Sequence, residues 1–156
     1  MKVFTKSLLM AIVMTLPAGA AFSEGEFDGA VKARKAEMTL RAFNIGQLGA
    51  MAKGDMEYNA DVAKAAAHNL KVMTTLNGMA MWPKGSDNVA LGDKTNALPA
   101  LWDNFPKVIE AVEALSAAAD VMADAAGKDL ASLQGAMGAV GKACSSCHEQ
   151  FRKKME

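Results

Sequence analysis

Apolar residues recur at steps of three and four along four stretches of the chain, each closed by glycine, proline or polar residues. In the first, Val31, Arg34, Met38, Ala42, Ile45, Leu48 and Ala52 share one face. That period marks an amphipathic helix, and Gly54-Asp55 closes it. The second runs from about Asn59 to Ala80, with Asn59 as N-cap. Its face is Val62, Ala66, Asn69, Met73, Leu76 and Ala80. Residues 81–98 break the pattern with Pro83, Gly85, Ser86, Asp87, Asn88, Gly92, Asp93 and Asn96. A connection of about 18 residues is long for a compact domain, and such loops are often functional. Pro99 opens a short helical turn carrying Leu101 and Trp102. The third helix shows Val108, Val112, Leu115, Ala119, Met122 and Ala126, with Asn104 as cap, Pro106 in the first turn and Gly127 at the end. Asp129 caps the fourth, whose stripe is Leu130, Leu133, Met137, Val140, Cys144, Cys147 and Phe151. Lys153 and Lys154 are expected in its last turn, where cations complement the helix dipole.

Four amphipathic helices with one long central connection predict an all-α fold, an antiparallel four-helix bundle. No strand pattern or internal repeat competes with it. Composition agrees: 51% of the 156 residues are hydrophobic, only 6% are aromatic, and there are 12 Met. Alanine and methionine favour helices over sheet. The small residues on the apolar faces imply close helix approach, or room for something other than a side chain.

The first residues change the charge balance. Lys2 and Lys6 precede the apolar run Leu8–Leu16, and Pro17 and Ala18-Gly19-Ala20-Ala21 follow. A basic start, a short apolar core and a small-residue exit describe a secretory signal peptide over residues 1–23, cleaved at about 20–23. The run is too short to span a bilayer, which takes roughly 20 residues, although the same pattern would also serve a retained anchor. The mature domain is then 24–156. Both basic residues leave with the signal, so 15 basic face 17 acidic residues, a net charge of −2. With no basic runs, nucleic acid is not the expected partner. The mature chain holds no expected membrane span. Its expected location is the periplasm.

Near the C-terminus stands Cys144-Ser145-Ser146-Cys147-His148, and these are the only two cysteines. The spacing C-x-x-C-H is the haem c attachment signature. Residues i and i+3 share a helix face, so both thiols can reach the two vinyl groups of one porphyrin. The imidazole that follows can meet the iron from the same side. Both cysteines continue the apolar stripe, so the expected arrangement is one covalently bound haem c in the bundle core. Three other readings of the motif were open. A redox dithiol usually follows a strand and opens a helix, whereas this pair sits late in one. A zinc site takes about four ligands, and His68 is far away in sequence. A structural disulfide between i and i+3 constrains little and leaves His148 without a role.

These features together resemble the cytochrome c′ family, the class II cytochromes c, over essentially the whole mature chain. The strongest piece is Val140-Gly141-Lys142-Ala143-Cys144-Ser145-Ser146-Cys147-His148-Glu149-Gln150-Phe151-Arg152. Leu48–Gly54 and Pro99-Ala100-Leu101-Trp102 are similar to two further family segments. The resemblance implies that Cys144 and Cys147 form the thioethers and that His148 is the proximal iron ligand. It implies that Arg152 flanks the proximal face, that Arg34 contacts a haem propionate and that Met38 lies over the distal side.

Met38 divides two functions. High-spin members of the family are five-coordinate and bind NO or CO. Low-spin members use a Met of the first helix as sixth ligand and carry electrons. On spacing alone Met38 is one of several core-face methionines filling gaps. The resemblance to the low-spin branch along the first helix implies coordination by Met38, with Met51 and Met73 as weaker candidates. The expected function is a non-enzymatic one-electron carrier with His/Met-ligated haem iron; the alternative is the gas-binding form. Expected partners are periplasmic redox proteins. The family resemblance also admits a homodimer through the first two helices, although the pattern shows no clear second apolar face. His68, Trp82, Trp102 and Tyr58 read as surface or packing residues. Glu110, Glu113, Asp120 and Asp124 read as a solvated face.

Overall fold

A computed structural model of the chain describes residues 25–154. The expected signal peptide, 1–23, lies outside the described residues. Four long helices carry the architecture: α1 (Asp28–Lys53), α2 (Ala60–Thr74), α3 (Phe105–Ala125) and α4 (Leu130–Phe151). Each packs on its sequence neighbours, and α4 closes the ring on α1. Neighbours run in opposite directions. Arg41 of α1 donates to the Met73 carbonyl, and Asn69 of α2 donates to Asn44 further along α1. Tyr58, just before α2, donates to the Ala126 carbonyl just past α3. Gln134 of α4 donates to the Ala52 carbonyl near the end of α1. The result is the antiparallel four-helix bundle that the periodicity predicts.

Local chemistry explains most helix ends. Gly54 takes φ 81°, a left-handed conformation that glycine adopts without a Cβ penalty, and its N–H returns to the last turn of α1. Asn59 accepts from the N–H groups of Asp61 and Val62 at the start of α2. Asp129 does the same for α4 through the Ser132 N–H. Pro106 sits in the first turn of α3.

Three expectations need correction. The second helix stops at Thr74 rather than near Ala80, and its buried face is Ala63, Ala66, Ala67, Leu70 and Met73. Val62 and Leu76 are exposed. The segment is so rich in alanine that two neighbouring faces are nearly equally apolar, and packing against α1 and α3 selects the one with the smaller side chains. Asn104 stands at the N-cap position of α3, but its side chain accepts no N–H there: its amide instead donates to the Ala100 carbonyl in the preceding short helix, Ala100–Asp103. Lys153 and Lys154 lie beyond α4, because the chain turns to extended backbone at Arg152 and bridges to Ala97. The Lys153 N–H then donates to the Asn96 carbonyl.

The packed core fills one half of the bundle. Leu48, Met51, Leu70, Met122, Leu133 and Val140 are fully buried there, with Ala63, Ala67 and Ala119 between them. Toward the other end, the end of α4, inward positions open to solvent. Phe105 and Val112 precede the buried Ala119 at steps of seven and share its face, yet Val112 is 46% exposed. Met38 precedes the core-packed Ile45 by seven residues and is 38% exposed. Residues 75–104 form the long connection, with short helical turns at Met79–Met81, Asn88–Leu91 and Gly92–Lys94. They cover this same end.

Candidate haem site

Cys144, Cys147 and His148 stand on the inward face of α4, in phase with Leu133 and Val140, at the end where the core is open. All three are half-buried, and the two thiols are free. Burial pushes both thiols up, and Arg41 acts against that rise at each. Burial, followed by the neighbouring Arg152 cation, holds the His148 imidazole below its ordinary value. At neutral pH the imidazole is therefore neutral, the form whose lone pair can bind a metal. An open groove of about 390 Å³ runs along Gly141, Cys144, Ser145, His148 and Arg152.

The α1–α4 register relates the distal and proximal residues. Gly49 lies against the Met137 side chain, and Ala52 is bonded to Gln134. Met38 precedes Gly49 by eleven residues, and His148 follows Met137 by eleven. In antiparallel helices of equal rise these two residues come level along the bundle axis. The same count sets Arg34 level with Arg152, and Arg41 within one residue of Cys144. Of the weaker candidates, Met51 is sealed in the packed core and Met73 is buried on α2.

Arg34 is buried to 3% exposure. Its guanidinium donates to the Ser86 hydroxyl at 2.7 Å, the Thr95 hydroxyl at 2.8 Å, the Met81 carbonyl at 3.3 Å and the Ser86 carbonyl. It also stacks 4.8 Å over the Trp82 ring, and the Trp102 indole N–H donates to the Trp82 carbonyl. Sequence reasoning placed Arg34 at the site but missed its four partners, because they lie 47 to 61 residues away. All four partners are neutral oxygens. Among the described residues no carboxylate comes within ion-pair distance of Arg34. Asp87 acts on it only at longer range. A buried cation among neutral partners suits an anionic group, as a propionate is.

These features fit a haem: two thiols at i and i+3, a neutral imidazole after them, open apolar walls and a buried cation without a counter-ion. The sequence model described as Cytochrome C′ matches residues 29–152. The chain belongs to the cytochrome c′ family. Among its relatives, cytochrome c-554 of Cereibacter sphaeroides is 39% identical over 147 residues, covering 93% of this chain and 95% of that protein. A cytochrome c′ of the same organism is 36% identical, covering 94% and 97%. The solved structure of a Rhodobacter cytochrome c′ superposes with a TM-score of 0.81 at 34% identity, covering 84% of this chain and all of that one. Members of the family carry one covalently attached haem c with its iron, and they serve as electron carriers or gas binders.

His68 is exposed on α2. Tyr58 packs against the core and is bonded to Ala126. Glu110, Glu113, Asp120 and Asp124 are exposed along α3. Among the described residues no helix is long and apolar enough to cross a membrane.

Proposed function

We propose that the chain is an exported one-electron carrier whose haem iron is held by His148 and Met38. Cys144 and Cys147 form the thioethers, and the neutral His148 imidazole supplies the proximal ligand. The observation that carries the distal assignment is the register of α1 against α4, which brings Met38 level with His148 on the facing helix. A thioether is a soft ligand suited to haem iron, and it raises the potential. When bound, the haem supplies a one-electron Fe(III)/Fe(II) couple. The rest is the protein's work. Phe105 and Val112 wall the ring from water, Arg34 offsets propionate charge, and Arg152 stands beside His148 at the proximal edge. The kinship with a protein named cytochrome c-554 and with others named cytochrome c′ supports the carrier reading at the level of the family.

Residues 1–23 act in this reading as a cleaved signal peptide, delivering the chain to the periplasm. Its partners there are other redox proteins, met through weak contacts. A homodimer through α1 and α2 has support in Leu40, Phe43, Val62 and Val72, which are apolar and exposed on those two helices.

The visible spectrum of the haem-loaded protein tests the central claim. A low-spin spectrum with the weak methionine-to-ferric charge-transfer band is expected. A broad high-spin spectrum, with rapid CO binding by the ferrous form, would overturn it in favour of the gas-binding form.

A further inference from the structure

Register sets three residues of α1 near the level of the α4 motif and its end: Arg34, Met38 and Arg41. The first clamps the long loop and offsets propionate charge in the reading above, and the second is the distal ligand proposed there. Arg41 has no assigned role. Its side chain is only 16% exposed, and that of Glu37 is 10% exposed. One guanidinium nitrogen of Arg41 donates to the Glu37 carboxylate and also, at 3.0 Å, to the Met73 carbonyl. Its Nε is buried with no partner.

Keeping a guanidinium here is costly. A buried ion pair loses hydration that its mutual attraction only partly returns, and an unpaired buried N–H costs more. An apolar residue at this inward position would fill the same space without either penalty. Register sets Arg41 within one residue of Cys144, and both cysteine thiols feel its charge. Glu37 is one turn further from Cys144 along α1, so the cation is the nearer of the two charges to that thioether, while Glu37 stands within one residue of the level of His148.

We propose that Arg41 is a positioning residue for the haem potential, a fixed cation at the thioether edge that favours Fe(II) over Fe(III). Reduction brings one electron to the iron and breaks no bond, so the site becomes one unit more negative. A nearby positive charge stabilises that product. Glu37 holds the guanidinium in place and partly cancels it. The inference rests on the haem reading of Cys144, Cys147 and His148. It does not rest on Met38, because a potential is measured in either coordination state.

The test is a spectroelectrochemical titration of the haem-loaded protein, with the visible spectrum recorded to confirm that spin state is unchanged. At the wild-type midpoint, Arg41→Gln should lower the Fe(II):Fe(III) ratio by roughly three- to tenfold, the range for one partly screened charge at haem distance. Arg41→Lys should restore most of the loss. Glu37→Gln should move the ratio the other way, because it leaves the cation uncancelled. Damage to packing would admit water and lower the ratio in both neutral variants, so the sign for Glu37→Gln separates the two explanations. A shift below threefold in Arg41→Gln, or a fall in Glu37→Gln, overturns the proposal. If Arg41→Gln does not retain its spectrum, the sign for Glu37→Gln decides alone. Loss of covalent haem from the wild-type protein would instead refute the site reading beneath it.

Discussion

The Arg34 guanidinium holds both the hydroxyl and the carbonyl oxygen of Ser86, 52 residues away. Two nitrogens of one rigid fork thereby fix a loop residue that is itself fully buried. Thr95 and Met81 complete the clamp, and Trp82 lies under it. The long connection is thus pinned to the start of α1, at the open end of the bundle. Arg34→Met should cost about 3 kcal/mol, since several charge-assisted hydrogen bonds go and buried oxygens lose their donors. Arg34→Lys should recover less than half, because an ammonium cannot reproduce the fork. Urea denaturation of the haem-loaded variants measures both.

Met38→Ala removes the methionine of α1 that register sets level with His148. The expected outcome is conversion of the ferric spectrum from low to high spin, with CO binding gained. An unchanged spectrum would remove Met38 as ligand. Met51→Leu, in the packed core, should leave the spectrum alone and change stability by less than about 1.5 kcal/mol, as similar-volume core swaps do.

Asp129 gives a pH signature. Hydrogen bonds from the Ser132 backbone and then its side chain, together with a weaker one from the Ala131 N–H, hold its carboxyl below the usual 3.8. A depressed acid stabilises the folded state above its unfolded value and loses that contribution as pH falls through the folded one. The melting temperature of the wild type should therefore drop more steeply below about pH 4 than that of Asp129→Asn. Asparagine still caps the helix but does not titrate there. Parallel pH curves for the two proteins would contradict the cap assignment.

Tyr58→Phe deletes one hydrogen bond, the 2.9 Å contact to the Ala126 carbonyl, and leaves the ring in place. The expected loss is about 1 kcal/mol. The spectrum should stay as in wild type, since Tyr58 lies at the packed end of the bundle. Thermal melting and absorbance on one sample check both halves of the statement.

Gly54→Ala tests a turn. The residue holds φ 81°, where a Cβ is strained whatever space surrounds it. A cost of about 1 kcal/mol is expected, read as a lower urea midpoint with the same slope.

Several features were legible along the chain because their physics is local. Asn59 and Asp129 cap helices through N–H groups two or three residues on, and Gly54 ends α1 through its own φ. Cys144, Cys147 and His148 fall on one helix face by spacing alone, whatever the rest of the fold does. The stripe from Leu130 to Phe151 was read in its true phase because glycine and polar residues border it on both sides.

Where the residues are ambiguous, packing decided. The alanine-rich second helix has no single dominant face, so contact with α1 and α3 chose Ala63, Ala67 and Leu70 over Val62 and Leu76. The end of α4 moved back to Phe151 because Arg152 bridges to Ala97, a partner 55 residues earlier. No periodicity announces such a pairing.

The residue types at the site, their helical spacing and the number of helices thus follow from neighbours within a few positions, where backbone geometry dictates the outcome. What Arg34 holds, which face α2 buries, and that Met38 comes level with His148 follow from how the helices meet. Those relations connect residues tens to more than a hundred positions apart. Only the packed bundle, with its register set by Gly49 on Met137 and Gln134 on Ala52, brings them together.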